Sequence, residues 1–180
     1  SRGLGDVYKR QGSKEGIKKG MNVIAGSGLV GIVTDVGPNF AKVRSIIDDS
    51  SNVSSMVLTT KDNFNVGGSL KSMNQDKVLP FTELRDEDDK VKVGDPVVTS
   101  YVSDQYQEGI LIGYIASIEK NANNLTKSGT ITPVVDFQHL REVLVITTLK
   151  DTGEKELSSQ KASDTQTETQ DNTETQKSQE

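Results

Sequence analysis

The sequence predicts an all-β fold: two small related β-barrel domains in tandem, followed by a disordered acidic C-terminal tail. Three observations predict it. Apolar residues come in short β-branched runs, turn signals recur about every 8–12 residues, and one motif occurs twice, roughly 75–80 residues apart.

The expected strands run in order. Val23-Ile24, Leu29–Val33, Val43–Ile47 and Val53–Leu58 form the first group, and Val97–Thr99, Ile110–Ile118, Ile131–Val135 and Val143–Ile146 the second. Turn formers separate them: Gly26-Ser27-Gly28, Gly37-Pro38-Asn39, Asp48-Asp49-Ser50, Gly67-Gly68, Gly94-Asp95-Pro96 and Lys127-Ser128-Gly129. Helical periodicity is nearly absent. Phe137–Glu142 is compatible with a single turn capped by Asp136, whose carboxylate suits an N-cap. Between the groups, Lys61–Asp89 reads as a polar stretch.

The repeat aligns Ile17-Lys18-Lys19-Gly20-Met21-Asn22-Val23-Ile24 with Val91-Lys92-Val93-Gly94-Asp95-Pro96-Val97-Val98. It then aligns Leu29-Val30-Gly31-Ile32-Val33 with Leu111-Ile112-Gly113-Tyr114-Ile115. Each copy is a glycine turn, a short apolar strand, a loop, and a strand interrupted by glycine. Gly31 and Gly113 are expected at bulges, where a short strand bends around a barrel corner; Gly28, Gly94 and Gly109 are expected to serve turns.

Composition narrows the function. Of 180 residues, 32% are hydrophobic and 4% aromatic, and the shortfall concentrates at the C-terminus. Residues 151–180 carry eight acidic and three basic side chains and one large apolar residue, Leu157, so the segment cannot bury enough surface to offset ordering. Residues 1–150 hold eighteen charges of each sign and lack the basic patch of a nucleic-acid binder. There is no cysteine, which removes disulfides, zinc thiolates and thiol nucleophiles. The longest apolar run, Ile110–Ala116, is far short of the roughly 20 residues that span a bilayer.

No catalytic set emerges, and no cofactor or metal is expected. The single histidine, His139, has no G-x-S-x-G elbow to serve, and no glycine-rich phosphate loop precedes a helix. The run Asp86-Glu87-Asp88-Asp89 lacks the alternating ligand spacing of an oxygen cage and reads as a solvated turn before a strand.

Several segments, in order, resemble the extracytoplasmic region of the rod shape-determining MreC family. Gly28-Leu29-Val30-Gly31-Ile32-Val33 with Pro38-Asn39 through Val43 matches a G-L-V-G-x-V strand and its P-N-x-x-x-V turn. Ile46–Val53 is similar to the strand and turn that follow. Val91-Lys92-Val93-Gly94-Asp95-Pro96-Val97-Val98-Thr99-Ser100 matches V-x-x-G-D-x-V-V-T-S, Ile112-Gly113-Tyr114-Ile115 the next strand, and Val134–Val145 the closing one. The loop Tyr101–Gly109 departs from the family, retaining only its last glycine. Residues 1–11 match nothing in the family, so 1–15 reads as an unmatched, non-native leader. On this resemblance the domains are expected at 16–66, incomplete or borrowing the C-terminal strand, and at 67–147, with the tail at 148–180.

The resemblance implies a non-enzymatic scaffold for cell shape, held by a single-pass membrane anchor and a dimerising coiled coil absent from this sequence, with this region on the extracytoplasmic side. Its implied partners are MreD, the actin-like MreB system, a class B penicillin-binding transpeptidase and the elongation polymerase. Further copies of itself are also implied partners. Candidate interface residues are Phe40, Tyr101 and Tyr106, aromatics in turns or loops; core packing is the competing role for each. A rival reading is a lipoyl-like or membrane-fusion adaptor barrel of a transport system, which requires a carrier lysine at a hairpin tip or a long helical hairpin that Lys61–Lys90 does not provide. A small nucleic-acid-binding barrel would need stacking aromatics on a basic face, and neither is evident.

Overall fold

A computed structural model describes residues 16–151 and the backbone of the strand Asp6–Lys9. The expected tail from 152 onward, and the rest of the expected leader, lie outside the described residues. In chain order the elements are β1 (Asp6–Lys9), β2 (Asn22–Ala25), β3 (Gly28–Val36), β4 (Ala41–Ser45), β5 (Asn52–Val57), β6 (Asn63–Gly67), α1 (Leu70–Asp76), β7 (Leu79–Leu84), β8 (Pro96–Thr99), β9 (Leu111–Lys120), β10 (Lys127–Pro133) and β11 (Leu144–Ile146).

Every apolar run expected to be a strand overlaps one. The polar stretch Lys61–Asp89 does not behave as a linker: it supplies β6, α1 and β7. In β6 only Phe64 and Val66 point inward while Asn63 and Asn65 face outward, so a true period-two strand carries few apolar residues. The Ser69 side chain caps α1 by accepting from the Ser72 N–H at 3.1 Å, and Lys77 closes the helix in the left-handed region at φ 56°.

Six strands close into a barrel in the order β5-β6-β7-β10-β9-β8, and β8 returns to β5; every pairing is antiparallel. The remaining strands form an array, β11-β2-β3-β4-β1, also antiparallel throughout. One parallel bridge, Gly28 opposite Leu111, joins the array to the barrel. Of the two barrels expected, one is closed; the strands of the other form a five-stranded array that takes in the C-terminal strand β11, and no pairing joins β11 to β1 among the described residues. Pairing does not follow chain order: β5 and β6 belong to the barrel, and β11 crosses back to the array beside β2.

The two motif copies fold alike down to single hydrogen bonds. Gly20 N–H donates to the Val33 carbonyl at 2.8 Å, and Gly94 N–H to the Ile115 carbonyl at 2.7 Å. The return bonds, Val33 N–H to Met21 and Ile115 N–H to Asp95, are 2.9 and 3.0 Å. In the array, Val23 faces Gly31 and Ile24 faces Leu29, leaving Val30 as an extra residue; in the barrel, Val97 faces Gly113 and Val98 faces Leu111, leaving Ile112 extra. Both expected bulges are therefore present beside their glycines. A Cβ on Gly31 would sit 2.1 Å from the Arg44 carbonyl oxygen, and one on Gly113 2.1 Å from that of Thr132. The strand order matches as well, β11-β2-β3-β4-β1 against β5-β8-β9-β10-β7, so the array repeats five of the six barrel strands.

Two cores follow. The barrel is filled by residues including Val53, Val57, Phe64, Phe81, Leu84, Val97, Ile112 and Ile131, with Phe64 and Phe81 packed edge to face at 5.1 Å. Leu29, Ile32, Ile46 and Ile47 from the array side complete it. The second core gathers Ile17, Met21, Val23, Val30, Val33, Val43 and Val135.

Candidate functional site

The outer face of the barrel carries a row of apolar side chains across adjacent strands. Leu58 N–H donates to the Pro96 carbonyl at 2.9 Å, Pro96 faces Tyr114 on β9, and Tyr114 faces Thr132 on β10. Leu58 and Tyr114 are each 43% exposed. The repeat places Ile146, Asn22, Ile32 and Arg44 at the matching positions of the array. There the face is covered at Asn22 and Ile32. Asn22, buried, donates its Nδ2 to the Gln105 carbonyl at 3.0 Å and accepts at Oδ1 from the Gln107 N–H at 2.8 Å, so the loop after β8 lies over Ile32, which is 6% exposed. The same position is lidded in one copy and bare in the other. Individual exposed apolar residues are ordinary, so it is their alignment across adjacent strands that makes this face a candidate surface.

The loop from Ser100 to Gly109 is built by its own polar groups. Ser103 Oγ accepts from the N–H groups of Gln105 and Tyr106 at 3.2 and 3.0 Å. Thr99 Oγ1 donates to the Gln107 carbonyl and accepts from the Ile110 N–H. Gly109, at φ +83°, and Gly94, at φ +94°, occupy the left-handed region expected of turn glycines. Gly28 is different: its φ is not positive, and a Cβ there would meet Val134 and Val135 at 2.5 Å, so close packing rather than a turn requires it.

The three aromatic candidates separate. Tyr101 is exposed, with its hydroxyl accepting from Asn63 Nδ2 at 3.3 Å. Phe40 is also exposed, its ring lying where a Cβ on Gly37 would be. Tyr106 is 2% exposed and belongs to the barrel-side core, where burial pushes its hydroxyl pKa up to about 12. It anchors the loop from beneath and offers no surface. Leu58 and Tyr114 were not singled out from the sequence. The signal was present in the alignment of the two copies, which sets Tyr114 against Ile32.

The acidic run needs correction. Asp86 is not solvated: it accepts from the N–H groups of Lys90 and Val91 at 2.8 and 3.1 Å and pairs with Lys127 Nζ at 2.7 Å. Burial alone would raise its pKa, but the Lys127 ammonium and the two backbone donors outweigh that and hold it below the usual carboxylate range. Lys127 also reaches Asp89 at 2.5 Å, and its pKa is raised: desolvation opposes the charge, but both carboxylates favour it more. This is a strut between the loop and β10. No group of acidic or histidine side chains suited to a metal occurs among the described residues. His139 is exposed and pairs its Nδ1 with Asp136 Oδ2 at 2.9 Å, while Asp136 Oδ1 accepts from the Gln138 N–H, the capping role read from the sequence. The Asp136 pKa is lowered first by His139. No helix among the described residues is long and apolar enough to cross a membrane.

Comparison with known proteins agrees with the architecture. The family model described as "Rod shape-determining protein MreC, barrel core" matches residues 7–147. That match begins inside the segment read as an unmatched leader, which corrects its boundary. The cell shape-determining protein MreC of Listeria monocytogenes is 32% identical over 138 residues, covering 76% of this chain and 46% of its own length. A solved Listeria MreC structure superposes with a TM-score of 0.70 at 31% identity, covering 83% of this chain and 71% of that one. MreC in a Helicobacter pylori complex with the penicillin-binding protein PBP2 shares the fold, with a TM-score of 0.54 at 17% identity over 69% of this chain and 74% of that one. The chain spans about half the length of the curated relatives it matches. With a family match over most of its length and the doubled hairpin in place, the chain belongs to the rod shape-determining MreC family.

Proposed function

We propose that this chain is a non-enzymatic scaffold for the formation and maintenance of cell shape, binding enzymes of peptidoglycan elongation through the outer face of its barrel. The observation that carries the reading is the uncovered row Leu58–Pro96–Tyr114, whose counterpart in the array is partly covered by the chain's own loop at Asn22 and Ile32. A rigid apolar row with aromatic content suits a hot-spot cluster. The relative solved with PBP2 supports a class B penicillin-binding transpeptidase as the first partner to test. Exposed Phe40 and Tyr101 are further interface candidates, and Tyr106 contributes by holding the loop that carries Tyr101.

In this reading the array and the barrel act as the scaffold's two domains, held on the extracytoplasmic side by a single-pass anchor. MreD, the actin-like MreB system, the elongation polymerase and further copies of the chain are its other partners. The transport-adaptor alternative is not favoured, because every relative named above is an MreC.

The test is pull-down and titration of the transpeptidase ectodomain with Leu58→Glu and Tyr114→Glu variants, alongside rescue of rod shape in cells lacking the native gene. The expected result is at least tenfold weaker binding and rounded cells, with unchanged melting of the purified variants, since both side chains face solvent. Native affinity together with full rescue in both variants would refute the assignment of this face.

A further inference from the structure

We propose that the cleft between the array and the loop at Asp104-Gln105 binds a small oxyanion, a carboxylate or phosphate group, with Arg44 as its principal ligand. The cleft has a volume of about 390 Å³; Lys19, Arg44 and Lys150 line it together with Asp104, Ile32 and Leu149. Three cations against one carboxylate leave a net positive lining, in a body that is formally neutral as a whole.

Arg44 is the telling residue. Its Nε is buried and has no hydrogen-bond partner, and no carboxylate lies within ion-pair distance of its guanidinium among the described residues. A guanidinium presents a fixed fork of donors that matches an oxyanion, and a desolvated donor without an acceptor is an unstable arrangement unless something completes it. Nor does the fold require an arginine here. The repeat puts Thr132 at the same position of the barrel, facing Tyr114 as Arg44 faces Ile32, and that copy pairs its strands equally well.

The location gives the ligand a structural effect. Lys19 precedes β2, Arg44 lies on β4, Asp104 and Gln105 belong to the loop held by Asn22, and Lys150 follows β11. An oxyanion on Arg44 with an ammonium on either side would tie three separate stretches of chain together. Ile32 and Leu149 supply apolar walls that favour a ligand with a short carbon stem beside its charge.

Amide-resolved NMR titration of the 180-residue chain tests this, at constant ionic strength held with sodium chloride. Inorganic phosphate is the probe in one arm and glutarate in the other. The expected result is saturable shifts confined to amides around Thr34, Arg44, Gln105 and Lys150. Arg44→Gln should weaken binding about tenfold or more, the range set by losing a charge-assisted hydrogen bond. Tighter binding of phosphate identifies a phosphate ligand, and tighter binding of glutarate a carboxylate one. Should Arg44→Gln fail to fold, the double variant Lys19→Gln/Lys150→Gln decides, with an expected loss of several-fold. Non-saturating shifts in both arms, shifts reproduced by chloride, or unchanged affinity in the variants would overturn the proposal.

Discussion

Replacing Asp86 by alanine removes a single carboxylate that three donors share, and the cost follows from the geometry. The side chain is 1% exposed and that of Lys127 11%, so the pair at 2.7 Å is largely screened from water. Asp86→Ala strands two backbone N–H groups, of Lys90 and Val91, and leaves the ammonium only Asp89. Breaking a buried pair by deleting one partner costs about 3–5 kcal/mol. For a domain of this size that lowers the melting temperature by about 10 °C. The assay is urea unfolding at pH 7 of wild type, Asp86→Ala, Lys127→Met and the double variant, with the coupling read from the cycle. The pH dependence supplies a second check. A carboxylate whose pKa is depressed by folding contributes stability above its unfolded value of about 3.9, and that contribution fades as pH falls through the lower folded value. The gap between wild type and Asp86→Ala should therefore hold from neutral pH to about 4 and shrink below it. If Asp86→Ala unfolds within about 1 kcal/mol of wild type at pH 7, the strut does not hold this loop and the reasoning fails.

Two further outcomes use the same unfolding assay. Gly31→Ala and Gly113→Ala each drive a Cβ into a facing carbonyl at 2.1 Å, so each should cost about 1–3 kcal/mol or more; near-native stability of either would show that its bulge tolerates a side chain. Tyr106→Ala should cost about 3–5 kcal/mol while exposed Tyr101→Ala stays within about 0.5, and the reverse order would return Tyr106 to the surface.

Much of the architecture was legible because the two hairpins announce themselves locally. Gly-x-x-Val-Val/Ile followed by Leu-x-Gly encodes a turn, a strand and a bulge within one short stretch, and both copies form the same hydrogen bonds. Two of the strands that close the barrel were not legible. These are β6 and β7, whose inward residues Phe64, Val66, Leu79 and Phe81 are diluted by asparagine, threonine and glutamate on the outer side. A half-solvated strand looks polar in composition even when its inner face is wholly apolar. Asp86 was misread for a related reason: a carboxylate beside three other acids looks solvated until its partner, Lys127, is brought to it from forty-one residues away. The bare row on the barrel escaped notice because what marks it is a lid present over its twin, and lids are tertiary.

The way β3 spends its side chains has a consequence for how separable the two halves are. Leu29 and Ile32 enter the barrel's core while Val30 and Val33, their immediate neighbours, enter the other, an alternation the bulge at Val30 makes possible. One strand is thus a party wall, and neither core is complete without it. A gene fragment encoding only 52–133 would keep all six barrel strands yet lose Leu29, Ile32, Ile46 and Ile47, which pack with its buried residues. The duplication visible in the sequence did not leave two portable modules. It left two cores that share one strand, so neither half carries a complete apolar interior of its own.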